Sequence, residues 1–74
     1  MAIRNRLTSH MRRARMTCGD LAQAVDVSGA SVANWRRGRF VPGLTLARRV
    51  AAVLSERIGE PVDLADLWPE KAGK

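Results

Sequence analysis

Apolar residues in this chain recur three and four positions apart, the period of helices that pack on one side. Ile3, Leu7, Met11 and Ala14 mark the inner stripe of a first helix, from about Ile3 to Ala14, with Arg4, Arg6, Arg12 and Arg13 around the rest. A second helix follows Thr17. It carries Leu21, Ala22 and Val25 at helical spacing, and Thr17 with Asp20 three residues later reads as a capping box in which Asp replaces the usual Glu or Gln. Ser28 caps a third helix that runs to Arg37, with Val32 and Trp35 inward and Gly38 as its stop. Only Asp26 and Val27 separate the second helix from this cap, so the two helices cross sharply. Such a corner buries Leu21, Ala22, Val25, Val27, Val32 and Trp35 and leaves Gly29, Ala30, Ala33 and Asn34 facing out. Val41-Pro42 ends the next loop, and Leu44 to about Arg57 reads as a fourth helix with Leu46, Ala47, Val50, Val53 and Leu54 on its apolar side. Gly59 and Pro61 break that helix, and Ile58 folds back onto the core. Residues 62–68 make a short fifth helix, with Asp63 near its start, where it favours the dipole, and Pro69 as its stop. The expected architecture is an all-α, five-helix single domain over 1–69, with 70–74 as a disordered tail.

Seventy-four residues leave room for one thin core and for no separate sensor domain. The formal charge of +6 is unevenly spread: residues 1–49 hold ten basic and two acidic side chains, whereas residues 50–74 hold three and five. The basic surface therefore belongs to the half that contains the sharp corner. Eleven of the thirteen basic residues are Arg, whose planar fork suits phosphate oxygens and base edges better than an ammonium does. The apolar side of the first helix is too modest for a membrane-surface helix, no apolar run spans a bilayer, and no signal-peptide core is visible. A cytoplasmic protein of a cell without a nucleus is expected. The single cysteine, Cys18, allows no internal disulfide or cysteine metal cluster. One His, one Cys and scattered carboxylates supply no nucleophile–base pair, so neither an enzyme nor a cofactor is expected. His10 reads as a surface or half-buried polar residue beside the apolar stripe.

The segment from Met16 to Gly38, MTCGDLAQAVDVSGASVANWRRG, resembles the helix-turn-helix of Cro/cI-type phage repressors and of the related bacterial XRE-like regulators. The resemblance rests on Met11-Arg12, Met16-Thr17, Leu21-Ala22, Val27-Ser28, Val32, Trp35 and Gly38, followed by Val41-Pro42, Leu46-Ala47 and Leu67-Trp68, and it extends over nearly the whole chain. It implies a lambda-repressor-like DNA-binding domain in which the third helix enters the major groove. Carried onto this chain, the base-reading positions are Gly29, Ala30, Ser31, Ala33 and Asn34, and the phosphate-contacting ones Thr17, Cys18, Ser28, Arg36, Arg37, Gly38 and Arg39. Asn34 suits adenine, and Ala30 or Ala33 a thymine methyl. This is a sparse reading head, to be supplemented by DNA shape or by arginines in a narrow minor groove. The family function implied is repression of transcription by a homodimer on an inverted-repeat operator in double-stranded DNA, with no small-molecule effector.

The chain also departs from the family pattern. Arg15 stands where relatives often carry a left-handed glycine, so the first corner is either built differently or strained. Cys18 replaces a phosphate-holding Gln, and reads either as a redox sensor or as a small half-buried residue. Arg36 replaces a Glu that pairs with the helix 1 arginine equivalent to Arg12; two like charges repel, so Arg36 should turn out to phosphate or to Asp20. Val62, Leu64, Leu67 and Trp68 either form a pairing patch or cap the monomer core. The alternative function is an antitoxin or accessory protein-interaction module on the same fold. RNA binding ranks lower, because both tryptophans and Phe40 have structural places and leave no aromatic ring to stack on bases.

Overall fold

Four of the helices end in a left-handed backbone reversal, and this repeated local device sets the architecture. The computed structural model describes residues 6–68, in the order α1 (Leu7–Ala14), α2 (Cys18–Val25), α3 (Gly29–Arg36), α4 (Leu44–Ile58) and α5 (Leu64–Leu67). No strand occurs among the described residues, and none of their helices is long and apolar enough to cross a membrane. The expectations for Ile3 and Arg4, for Pro69 and for the tail at 70–74 fall outside the described residues. At the end of α1 the Met16 amide donates to the Met11 carbonyl at 3.0 Å and the Arg15 amide to Arg12 at 3.1 Å, which requires Arg15 to be left-handed (φ 56°, ψ 42°). At the end of α2 the Val27 amide donates to Ala22 at 2.9 Å around a left-handed Asp26 (φ 60°). At the end of α3 the amides of Gly38 and Arg39 donate to Trp35 and Asn34, around Gly38 at φ 77°. The end of α3 and the end of α4, at Gly59 (φ 82°), have the glycine that makes the reversal free of strain; the first two do not.

The start of α2 is fastened as the sequence implies. The Asp20 amide donates to Thr17 Oγ1 at 3.1 Å and the Thr17 amide returns a bond to Asp20 Oδ2 at 3.0 Å. Hydrogen bonding to the carboxyl, first by the Thr17 amide and then by the Thr17 side chain, holds Asp20 below its ordinary value of 3.8, with Arg57 adding a smaller pull. The stabilisation is thus complete above that ordinary value and is lost as pH falls through the lower folded-state value. Thr17→Ala is expected to cost about 1 kcal/mol, and Asp20→Asn to flatten the acid limb of a melting-temperature profile below about pH 4. An acid limb identical to that of the unmodified chain would show that this box adds nothing.

Packing closes these elements around one core. α2 lies against α3, α4 crosses beneath α1 and α2, and α5 folds onto α4. Leu7, Met11 and Ala14 from α1, Leu21, Ala22 and Val25 from α2, and Val32 and Trp35 from α3 are buried, with Val27 packed half-buried at the corner. α4 contributes Ala47, Val50 and Leu54 as expected, but also Ala51, while Leu46 and Val53 are only half-buried. The inner face of α4 is therefore rotated from the one its larger side chains mark. Small Ala51 lines the groove that α4 shares with α5, and Ile58, the last residue of α4, packs against the core.

The C-terminal segment is a lid on this core. Helix α5 covers only Leu64–Leu67, with the Asp63 amide donating to Asp66 Oδ2 at 2.8 Å. Leu67 and Trp68 are fully buried, the Trp68 ring meets Trp35 edge to face at 6.5 Å, and the Leu67 carbonyl accepts from the Arg6 amide at the start of α1. Of the patch expected as either core or pairing surface, Leu67, Trp68 and nearly all of Val62 cap the core of their own chain. Only Leu64 keeps substantial exposure, in an open groove between α4 and α5 with Ala52, Pro61 and Ala65.

Candidate nucleic-acid interface

The outward side of α3 is built mostly from residues with little or no side chain. Gly29 and Ala30 are exposed, and Ser31, Ala33 and Asn34 are half-buried along the same helix. Gly29 has an ordinary helical backbone, and a Cβ built on it would meet nothing within 4 Å, so nothing inside the chain demands glycine there. Ser28 caps the helix by accepting from the Ser31 amide at 3.2 Å, and the two hydroxyls lie 3.0 Å apart. Each serine therefore engages the other, and both have less freedom to reach outward than the sequence suggests. Asn34 alone on this face carries an amide able to pair with a base edge.

Beyond Asn34 the chain turns strongly basic. Arg36, Arg37 and Arg39 are all exposed, Arg37 as the residue closing α3 and Arg39 in the loop after it. Arg36 departs from the expectation of Asp20 as its partner. Its Nε donates to Thr8 Oγ1 at 3.1 Å and its Nη1 to Cys18 Sγ at 3.1 Å, so it ties the end of α3 to α1 and to the start of α2. Asp20 is held instead by Thr17 within the cap. The pairing is set by helix phase: Thr8 lies one turn before Arg12 on α1, and it is Thr8 that faces Arg36. Arg12 stays exposed and no like-charge clash arises. Thr8, Cys18, Ala33, Arg36 and Arg37 line an open groove beside α3. Cys18 sits there as a half-buried free thiol.

Gly38 also has a different place from the expected one. It is buried, and its amide donates to the Trp35 carbonyl at 3.1 Å while the Arg39 amide donates to Asn34 at 3.0 Å. Backbone amides used in closing α3 are not offered to a phosphate; Gly38 acts by turning the chain. The first amides of α2, at Cys18 and Gly19, differ: they have no carbonyl one turn behind them in the helix, which suits an anion. Thr8 was missed in the sequence because its role depends on how α1 crosses α3.

Phe40 overturns another expectation. It is 61% exposed, and Leu44 at the start of α4 is 48% exposed, so neither has a place in the core. His10 is half-buried, its Nδ1 2.9 Å from the Arg6 carbonyl, as a polar neighbour of the apolar stripe. No group of three or more His, Cys, Asp or Glu able to hold a metal ion is found among the described residues. Set against family models, curated proteins and solved structures, the chain matches none.

Proposed function

We propose that this chain is a sequence-specific, double-stranded DNA-binding transcriptional regulator, a repressor of Cro/cI type in which α2 and α3 act as the helix-turn-helix. The observation that carries the reading is the juxtaposition on α3 of a small-residue outward face ending in Asn34 with exposed Arg36, Arg37 and Arg39 directly after it. A face without bulk allows a helix backbone to approach the floor of a major groove, and arginines at its end suit the flanking phosphates. The long basic side chains anchor the domain, and Asn34 with the alanine methyls reads. With three of the four candidate pairing residues largely buried in one chain, a homodimer on an inverted repeat would use the remaining exposed surface, with recognition helices about 34–36 Å apart on DNA.

Titration of purified protein onto a labelled mixed-sequence duplex tests the electrostatic part of the proposal. Binding that weakens steeply and linearly on a log–log plot as salt rises is the expected result; no binding at 50 mM salt contradicts it. Asn34→Ala is expected to relax preference at one base pair per half-site, a loss of about 1–3 kcal/mol of discrimination. Competition among operator duplexes altered one position at a time measures it. An unaltered preference profile would mean that Asn34 reads nothing.

A protein-interaction role, as in an antitoxin or accessory subunit, has one observation of its own: the exposure of Phe40 and Leu44. Phe40→Ser with Leu44→Ser should leave DNA binding intact under the repressor reading. If these substitutions abolish capture of a cellular protein while the unmodified chain shows no duplex preference, the interaction reading takes its place.

A further inference from the structure

α3 is held to the rest of the fold mainly on one side. Val32 and Trp35 face inward, the helix packs chiefly against α2, and α1 meets it far less. Apolar burial is non-directional, so it keeps α3 on the core without by itself fixing the angle at which the outward side is presented. A directional tie comes from the last residue of the helix. Arg36 donates from Nε to Thr8 Oγ1 on α1 and from Nη1 to Cys18 Sγ at the start of α2, both at 3.1 Å. Two bonds from different nitrogens of one rigid, planar group set the plane of that group as well as its place. Three helices are thereby joined at a single side chain.

The tie stands next to the candidate reading residues. Ala33 lies one turn before Arg36 and Arg37, and all three line the groove to which α1 contributes Thr8 and α2 contributes Cys18. Asn34 follows Ala33 directly. Among the described residues, the side chains of Arg37 and Arg39 make no hydrogen bond or ion pair, so of the three arginines after Asn34 only Arg36 commits its guanidinium within the chain. We propose that Arg36 is a positioning residue for base readout: through Thr8 and Cys18 it sets the angle of α3 on the duplex, and so governs sequence preference, while Arg37 and Arg39 take the phosphates. The proposal rests on the DNA-binding reading and narrows it, because Arg36 leaves the group of phosphate contacts.

The test compares Thr8→Val, Thr8→Ser, Arg36→Lys and Arg36→Gln with the unmodified chain. Each is titrated across a salt series onto two duplexes, one of mixed sequence and one selected by the unmodified chain from a randomised pool, with thermal melting alongside. Thr8→Val removes the acceptor at nearly constant shape, and Arg36→Lys keeps the charge but loses the planar fork. Both should narrow the ratio of selected to mixed affinity on the order of tenfold, the contribution of one good base contact. Thr8→Ser keeps the acceptor oxygen and should keep the ratio. Arg36→Gln should leave the log–log salt slope unchanged. A ratio unaltered in both Thr8→Val and Arg36→Lys would overturn the proposal, whatever happens to the melting temperature, because a purely structural loss lowers both affinities alike. A slope that falls by about 0.9 in Arg36→Gln, the signature of one phosphate, would also overturn it and leave DNA binding itself standing. If the unmodified chain selects no sequence at all, the reading beneath the proposal fails with it.

Discussion

Trp35→Ala is expected to destabilise the chain by about 3–5 kcal/mol, a large part of the roughly 5–15 kcal/mol that holds an ordinary domain. Trp35 lies on the inner side of α3, only 5% exposed, and its ring receives the edge of Trp68 at an interplanar angle of 87°. It therefore connects the proposed recognition helix to the C-terminal lid. A methyl in its place leaves a cavity beside Trp68, and the T-shaped pair is lost as well. Trp35→Phe keeps a ring and should cost visibly less. Trp68 is an informative companion, because its indole Nε1 is buried without a hydrogen-bond partner. Trp68→Phe consequently removes area but no hydrogen bond, and Trp68→Ala should be the more severe of the two. Urea unfolding followed by circular dichroism measures all four variants. A Trp35→Ala midpoint close to the unmodified one would mean that α3 is not held to the core through this ring.

Arg37→Ala combined with Arg39→Ala should weaken binding to every duplex alike. Both side chains are exposed, and the sole ion pair among the described residues is Arg13 with Glu60, so their removal disturbs no ion pair in the fold. Stability should stay within about 0.5 kcal/mol of the unmodified chain. If each holds one phosphate, the log–log salt slope falls by about 1.8, and roughly tenfold less affinity is lost between 50 and 200 mM salt. This signature is opposite to the one expected of Asn34→Ala, which changes preference and leaves the slope alone. A slope unchanged in the double variant would remove both arginines from the phosphate contacts.

Local features were legible in the chain because their causes are local. Thr17 with Asp20 and Ser28 with Ser31 are pairs three residues apart, and a helix start brings such residues together whatever the rest of the fold does. The inward positions of α1, α2 and α3 followed from the 3.6-residue period. Features that depended on how helices cross were harder to see. Arg36 chose Thr8 and Cys18 over Asp20 because of the phase of α1 against α3. The inner face of α4 includes Ala51, which lines the groove shared with α5. Phe40 reads from the sequence as having a structural place, yet it is exposed on the surface. Asp26 was read simply as connector, although a two-residue link between crossing helices needs a left-handed residue to reverse the chain. In the candidate site, the exposed positions on α3 and its arginines were legible, whereas the commitment of the Gly38 amide to the closure of α3 needed coordinates.

The most direct test of the central claim is selection from a pool of randomised duplexes at physiological salt, with sequencing of what the purified protein retains. The account predicts an enriched inverted repeat whose half-sites lie about one helical turn apart. Retention without any enriched sequence, vanishing as salt rises, would contradict it, because the basic half would then be binding DNA only as a polyanion.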